Sequence, residues 1–459
     1  MGRAYRSGMS DADPTGEVTD LLQHLIRNAC VNDGTPGSGH EDRSADTLRA
    51  YLGETGLDVE RFTSLPGRES IVARIEGSDP DAPTVLLMGH TDVVPVNPDG
   101  WSRDPFGGEL VDGFVWGRGA VDMLNLTASM AVAFKHLALS GFKPRGTLAY
   151  LAVADEESMG RYGAEWLVDN HRDDVIADYV LTESGGYQMD TPEGIRLPVL
   201  VEEKGVHWAT LRIHGTPGHG SQPYNTDNAL VTAAEVVRRI ASYRPETQIH
   251  DTWRRFVEGM HYPAEISEPL LDAARFDDVI SAMPVGMGRM LHSCTHNTLS
   301  PNVMHGGNKT NVIPDSVELQ VDIRALPGET IESVRAMVDD VIGDLATRVD
   351  VEWICEDTST RSPIDTPLWE SMGKVSNELV KDSALVPFMM VAATDNRFFR
   401  RAGAVGYGYG LFSRRLTFED YSTMFHGHDE RVDQDSLRLS TQLWETLARE
   451  FLGERTRPG

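Results

Sequence analysis

The chain has 459 residues, 40% of them hydrophobic and 24% charged, an ordinary balance for a globular protein long enough to hold two or three domains. Its 70 acidic against 42 basic residues give a net charge of −28, which argues against nucleic acid and anionic membrane as partners. The longest apolar runs, "TVLLM" and "LAYLAVA", are too short to cross a bilayer. Three widely spaced cysteines, Cys30, Cys294 and Cys355, suit neither a disulfide framework nor a thiolate metal site. A cytoplasmic location is therefore expected.

Residues 1–16 lack an apolar signal core, so a disordered tail is expected there. Helical spacing follows in "EVTDLLQHLIRNAC" and "RSADTLRAYLGETG". The runs "SIVARIEG", "PTVLLMGH", "GTLAYLAVAD" and "DYVLTESGG" read as strands. Between the second and third lies a helix, "LNLTASMAVAFKHLALSG", with an apolar stripe of Leu126, Met130, Ala133 and Leu137 ended by Gly141. Such alternation predicts a three-layer α/β/α domain around a mainly parallel sheet.

After about residue 206 the texture changes. "HWATLRIHG" alternates as a half-exposed strand does, "NALVTAAEVVRRIASY" is helical, and "SVELQVDIRALPG", "ETIESVRAMVDDVIGDLA" and "VDVEWICED" continue as strand, helix and strand. This predicts a smaller α+β (ferredoxin-like) domain with helices on one sheet face. From about residue 364 the pattern returns to helix, short strand and Gly-rich loop. The expected organisation is a larger domain over 17–206 and 360–459, interrupted by an inserted domain over 207–359.

Ligands of parallel α/β sheets sit beyond the carboxyl ends of the strands. Here "TVLLM" is followed by His90 and Asp92, "LAYLAVA" by Asp155, Glu156 and Glu157, and "DYVL" by Glu183. Asp122 opens the helix after "GRGAV". A polar strand end is unremarkable once; three at one sheet edge are harder to dismiss. Carboxylates crowded together raise one another's pKa unless a cation intervenes. Histidine with several carboxylates and no thiolate suits zinc, cobalt or manganese. Two such ions, about 3.5–4 Å apart and bridged by one carboxylate, polarise a carbonyl and supply a metal-bound hydroxide. A free carboxylate then moves the water proton, and "DEES" offers neighbouring candidates.

The ordered set "GHTDVVPV", "WSRDPFGGELVDGFVWGRGAVDM", "ADEES", "ESGG" and "HGHDERV" resembles the two-zinc amidohydrolases and exopeptidases. That family includes aminoacylase, carboxypeptidase G, acetylornithine deacetylase, succinyl-diaminopimelate desuccinylase and carnosine-type dipeptidases. The resemblance spans about residues 17–453. It implies two Zn2+ per subunit (Co2+ or Mn2+ as substitutes), with His90 and Glu183 on one ion, Glu157 and His426 on the other, and Asp122 bridging. It also implies Glu156 as general base, with Asp92 orienting His90 from behind. His426 is preferred to His428 within "FHGHDERV", where Glu430 falls at a motif acid.

In the inserted domain, "GTPGHGSQP" places His219 where related enzymes hold an oxyanion-stabilising histidine, often in the partner subunit's site. The glycines and prolines there would also suit a surface turn. Asn311 and Arg324, in "NKTNVIPDSVELQVDIRALPGE", would grip a substrate carboxylate or carbonyl, although a strand-end salt bridge is the plainer account of Arg324. Arg397, in "ATDNRFFRRAG", is a further substrate-binding candidate.

Two features depart from the family pattern. Leu124-Asn125 stands where Lys-Gly is common, and the stretch 244–306 matches no shorter lid. The expected activity is metal-dependent hydrolysis of an amide next to a free carboxylate, in a short peptide or N-acyl amino acid, by a homodimer joined through the inserted domain. The rivals are a deacetylase or desuccinylase of a biosynthetic intermediate, a non-catalytic binding protein of the same fold, and a two-metal phosphoesterase, which the lack of an evident phosphate loop disfavours.

Overall fold

The structure, a computed structural model, describes residues 13–453. The tail expected over 1–16 lies outside the described residues as far as residue 12, and the first helix already opens at Thr15 (Thr15–Asn28). The main sheet is built in chain order from β1 (Val59–Leu65), β2 (Arg68–Ile75), β3 (Val85–His90), β4 (Leu148–Val153), β5 (Tyr179–Thr182), β6 (Met189–Thr191) and β7 (Gly194–Glu203). A second sheet follows: β8 (Gly205–His214), β9 (Thr298–Gly306), β10 (Ser316–Ala325) and β11 (Val349–Asp357). The chain then returns to the main sheet with β12 (Thr360–Arg361), β13 (Ser383–Met390) and β14 (Val405–Gly408).

The main sheet runs β1-β2-β4-β3-β5-β14-β7-β12, with β6 and β13 also on β7. Its central strands β4, β3, β5 and β14 are parallel. Antiparallel strands flank them. The reason is local at β1–β2, where only Pro66 and Gly67 separate the strands, too few for a parallel crossover. Gly67 takes a φ of 84° that favours glycine.

Side-chain alternation sorts the central strands into two cores. Val85, Leu87, Leu148, Tyr150 and Leu181 face one core, shared with Leu22, Phe134, Met372 and Trp444 from helices Thr15–Asn28, Leu124–Leu139, Pro367–Leu379 and Gln434–Leu452. Leu86, Met88, Ala149, Leu151 and Val180 face the other, with Leu167, Phe398 and Phe399. A strand covered on both faces needs no polar alternation, which explains the unbroken run "TVLLM". This is the expected three-layer α/β/α arrangement, parallel at its centre and again where β13 pairs with β7.

The second sheet has the order β9-β10-β8-β11, every neighbour antiparallel. With helices Ala229–Ser242 and Ile331–Ile342 between its strands, this is the ferredoxin-like order. Ala209, Leu211, Ile213, Leu319 and Val321 pack beneath Ala233, Val236, Val334 and Val338. The edge strand β9 escaped the sequence pattern because it is largely exposed and so carries no apolar alternation. The stretch before it folds into four helices, Asp251–Gly259, Ala264–Leu270, Phe276–Ser281 and Val285–Thr295. Trp253, Phe256, Phe276 and Leu291 form a separate core with Val386 and Met389 of β13, so this insertion buttresses the edge of the main sheet. Among the described residues no helix is long and apolar enough to cross a membrane.

One polar link ties three helices of the main unit. His136 contacts Glu445 through Nδ1 at 2.7 Å and Glu17 through Nε2 at 2.8 Å. The Glu445 carboxylate, against opposing burial and with help from Glu17, raises the imidazole pKa. A base whose folded pKa is raised contributes stability below its unfolded pKa, and loses it as pH rises through the folded value. Thermal melts of His136→Gln should therefore show a deficit of roughly 1–2 °C near pH 6 that closes as pH rises through the raised imidazole value. A deficit that stays constant over this range would show that packing, not charge, is lost.

Candidate metal centre

His90 closes β3, opposite Val153 of β4. Glu183 directly follows Thr182 of β5, the strand on the other side of β3. The parallel register thus carries three strand ends to one edge. The fourth element is the helix Leu124–Leu139, which begins two residues after Asp122. It lies directly on Gly89: a Cβ there would come within 3.0 Å of Thr127 Cα. Thr127 Oγ1 donates to the His90 carbonyl oxygen at 2.8 Å. The missing side chain at Gly89 therefore lets the helix, and Asp122 just ahead of it, settle against His90.

Two acid–histidine triads result. In the first, His90 Nε2 lies 3.3 Å from Asp122 Oδ1 and 3.6 Å from Glu183 Oε2. In the second, His426 Nε2 lies 3.3 Å from Asp122 Oδ2 and 3.2 Å from Glu157 Oε2. The ligand-type atoms of each triad lie within 4.8 Å of one another. The two oxygens of Asp122 thus face one histidine each. Tetrahedral bonds of about 2.0–2.2 Å hold ligand atoms about 3.3–3.6 Å apart, so the donor spacing fits a zinc-like ion in either triad. Glu157 Oε1, buried without a hydrogen-bond partner, adds to the fit. His428 is elsewhere, its ring edge-on to Trp101 at 6.5 Å.

Electrostatics point the same way. Burial, then the Asp122 charge, raises the Glu157 carboxyl. Burial pushes Glu183 up to about 7. Despite burial, the Asp122 and Glu183 carboxylates hold His90 well above its ordinary range, and Asp122 with Glu157 lifts His426 to about 10. The acids coexist here only beside imidazolium charge, a role that a divalent cation takes over while releasing the histidine protons.

Glu156 and Glu157 share the short 3-10 turn Glu156–Ser158. Burial, then the Glu183 charge, drives the Glu156 carboxyl well above its usual range. Asp92 behaves differently from the expectation that its side chain orients His90. The His90 Nδ1–H donates to the Asp92 backbone carbonyl at 2.9 Å, leaving Nε2 for the triad. The carboxylate lies farther away, at 3.6 Å, and accepts from the Glu156 and Glu157 amides at 3.2 and 3.1 Å. Asp155 is turned away, accepting from Tyr162 N at 2.8 Å.

The remaining candidates do not join the triads. His219 is exposed and contacts Ser221 in its own loop. Exposed Asn311 immediately precedes the short strand that pairs Val312 with His219. Arg324 is paired with Asp322 through Nε at 2.8 Å, the strand-end salt bridge named above. Arg397 is turned into the protein, donating to Asp357 Oδ2 (2.8 Å), Thr394 O (2.6 Å) and Met159 O (2.8 Å). It braces the loop after Glu157 from behind.

Two buried residues near the triads had no sequence signal of their own. Asn32 Nδ2 donates to Asp92 Oδ2 at 2.8 Å and to Asp155 Oδ1 at 3.2 Å. Asp395 is buried without a partner for either carboxylate oxygen, and its charge acts on Glu156. Only the "ATDNR" match hinted at it.

A three-layer α/β sheet with this centre at its carboxyl edge, beside a ferredoxin-like unit, defines a metal-dependent hydrolase. The family model described as Peptidase family M20/M25/M40 matches residues 86–450, and the chain belongs to that family. It is similar to N-fatty-acyl-amino acid synthase/hydrolase PM20D1 of Xenopus tropicalis, 26% identical over 391 residues covering 83% of this chain and 75% of that one. It is also similar to aminoacylase-1 of Homo sapiens, 25% identical over 399 residues covering 84% and 85%. Among solved structures, the M20 family metallo-carboxypeptidase Sso-CP2 of Sulfolobus solfataricus superposes with a TM-score of 0.72 at 16% identity, covering 95% of this chain and 99% of that one.

Proposed function

We propose that this hydrolase cleaves an amide next to a free carboxylate, in an N-acyl amino acid or short peptide, at a centre of two divalent ions. The observation that carries this reading is Asp122, whose two oxygens each face a histidine–glutamate pair. His90 and Glu183 would hold one ion, Glu157 and His426 the other, with Asp122 between them. Zinc fits the donor set best, with cobalt or manganese as substitutes. Bound there, the ions would polarise the scissile carbonyl and lower the pKa of a water.

The chain's own residues do the rest. Glu156, anchored by its amide to Asp92, takes the proton from the water oxygen and delivers it to the leaving amine nitrogen. Asp92 keeps Glu156 and Glu157 in register with His90, and Arg397 braces their loop through Met159. His219 serves the oxyanion, with Asn311 and Arg324 on the substrate carboxylate or carbonyl. The exposure of His219 and Asn311 in this chain suits a role across a subunit boundary.

The proposed organisation has residues 17–206 and 360–459 as the catalytic domain and 207–359 as a lid and dimerisation domain. The exposed edge strand β9, with Val303 and Met304, and the exposed Leu230 and Val231 on the neighbouring helix offer the dimer surface. Three free cysteines accord with a cytoplasmic setting. The test is metal analysis of the purified chain, followed by a panel of dipeptides and of N-acetyl, long-chain N-acyl and N-succinyl amino acids. Stoichiometric zinc, cobalt or manganese with turnover of at least one carboxylate-bearing amide is expected. Absence of both after metal addition would sink the reading. A fully active monomer would remove the trans role of His219.

A further inference from the structure

We infer that Arg118 and Glu430 form a buried clamp that sets the geometry of the second triad, Asp122, Glu157 and His426, and thereby its metal occupancy. The inference rests on the two-metal reading above. Glu430 is wholly buried, four residues after His426. Its Oε1 accepts from the backbone amides of Val121 at 2.6 Å and Asp122 at 3.0 Å. Its Oε2 accepts from the Gly119 amide at 3.0 Å and from Arg118 Nη1 at 2.8 Å. Arg118 Nη2 in turn donates to the carbonyl oxygen of Gly427, the residue after His426, at 3.0 Å. One ion pair therefore grips the peptide that presents Asp122 and the peptide beside His426.

The second triad depends on such a grip more than the first, which shares only Asp122 with the clamped loops. His90 is 1% exposed, and strand β3 with the helix on Gly89 fixes its place. The His426 side chain is 56% exposed, so no core packs around it. Its backbone adopts a φ of 56°, as does that of Asp429. That left-handed region is unfavourable for a non-glycine residue and persists where the surroundings hold it. Arg118 Nη2, on the Gly427 carbonyl oxygen, is a buried side-chain donor that reaches this loop beside His426. Four donors meet the one carboxylate, and both terminal guanidinium nitrogens are engaged, while Arg118 Nε has no partner among the described residues. An ion pair that merely supported the fold would affect both triads alike. A clamp on the Asp122 and His426 loops reaches the first triad through the shared Asp122 alone and the second through both loops, so the second suffers more.

The test is a Zn2+ titration of the metal-stripped full chain, with melting of the metal-free protein as control. Wild type should take up two ions. Glu430→Gln keeps the side chain's size but turns an amide nitrogen toward backbone N–H donors. It should bind the second ion roughly 10–100-fold more weakly, and the first, which shares only Asp122 with the clamp, should weaken distinctly less. Arg118→Lys, which keeps the charge and loses the fork, should weaken the second ion alone to a smaller degree, and it carries the test if Glu430→Gln does not fold. Wild-type affinity for both ions in the variants would overturn the clamp. So would equal weakening of both with a lower melting temperature. A wild type that binds fewer than two ions overturns the two-metal reading itself, and the clamp with it.

Discussion

Glu156→Gln is expected to leave metal content at the wild-type level and lower turnover by roughly 10²–10⁴-fold, the usual contribution of a positioned acid–base group. Glu156 stands outside both triads, so its loss removes no donor atom from either. The substitution preserves volume, and the backbone amide that anchors residue 156 to Asp92 is untouched. What disappears is an atom able to take a proton. Burial and the Glu183 charge raise the Glu156 carboxyl in the metal-free chain, and replacing it by a neutral amide removes charge repulsion. Thermal stability should therefore hold or rise. Metal analysis, a melt and a turnover assay on one preparation check all three points. Retained turnover with two bound ions would mean that another group, with buried Asp395 as one candidate, moves the proton.

Substitution of Asp122 should act on the metals themselves. Its two oxygens face His90 and His426 separately, and an asparagine offers one acceptor oxygen and one donor nitrogen. Asp122→Asn can therefore satisfy one triad at most, and Asp122→Ala neither. Metal content after dialysis should fall from two ions to one or fewer in the first variant and to none in the second, with affinity reduced more than ~100-fold for each lost ion. Activity should vanish in both. In the metal-free state the histidines lose an anionic partner, so the raised imidazole pKa values of His90 and His426 should fall toward the ordinary range, as a histidine NMR titration would show. Two ions retained by Asp122→Asn would rule out Asp122 as the shared ligand.

Much of this was legible in the chain. The run from Thr84 to Met88 announces a strand buried on both faces because it never alternates. The acids after β4 and β5 and His90 at the end of β3 announce a shared edge because strands of one parallel sheet end together. Less legible was the edge strand β9, whose exposed residues carry no period. The four helices before it resist a periodic reading in another way: they bury their faces in a cluster with Val386 and Met389 of β13, which begins 88 residues after the last of them ends.

Residue types and order along the chain by themselves determined the layered α/β class, the ferredoxin-like insertion, the family and the set of acid and histidine candidates, because periodicity and strand-end chemistry are local properties. Only the tertiary structure decided which candidates meet. It divided "DEE" into a residue turned away, Asp155, one outside the triads, Glu156, and one within them, Glu157. It turned Arg397 into the protein and gave the Asp92 carboxylate to the Glu156 and Glu157 amides. It also joined Glu430 to Asp122 across 308 residues of chain. Spacing in sequence cannot report such pairings. The direction of a side chain and the partner of a buried donor depend on where distant loops close over the sheet.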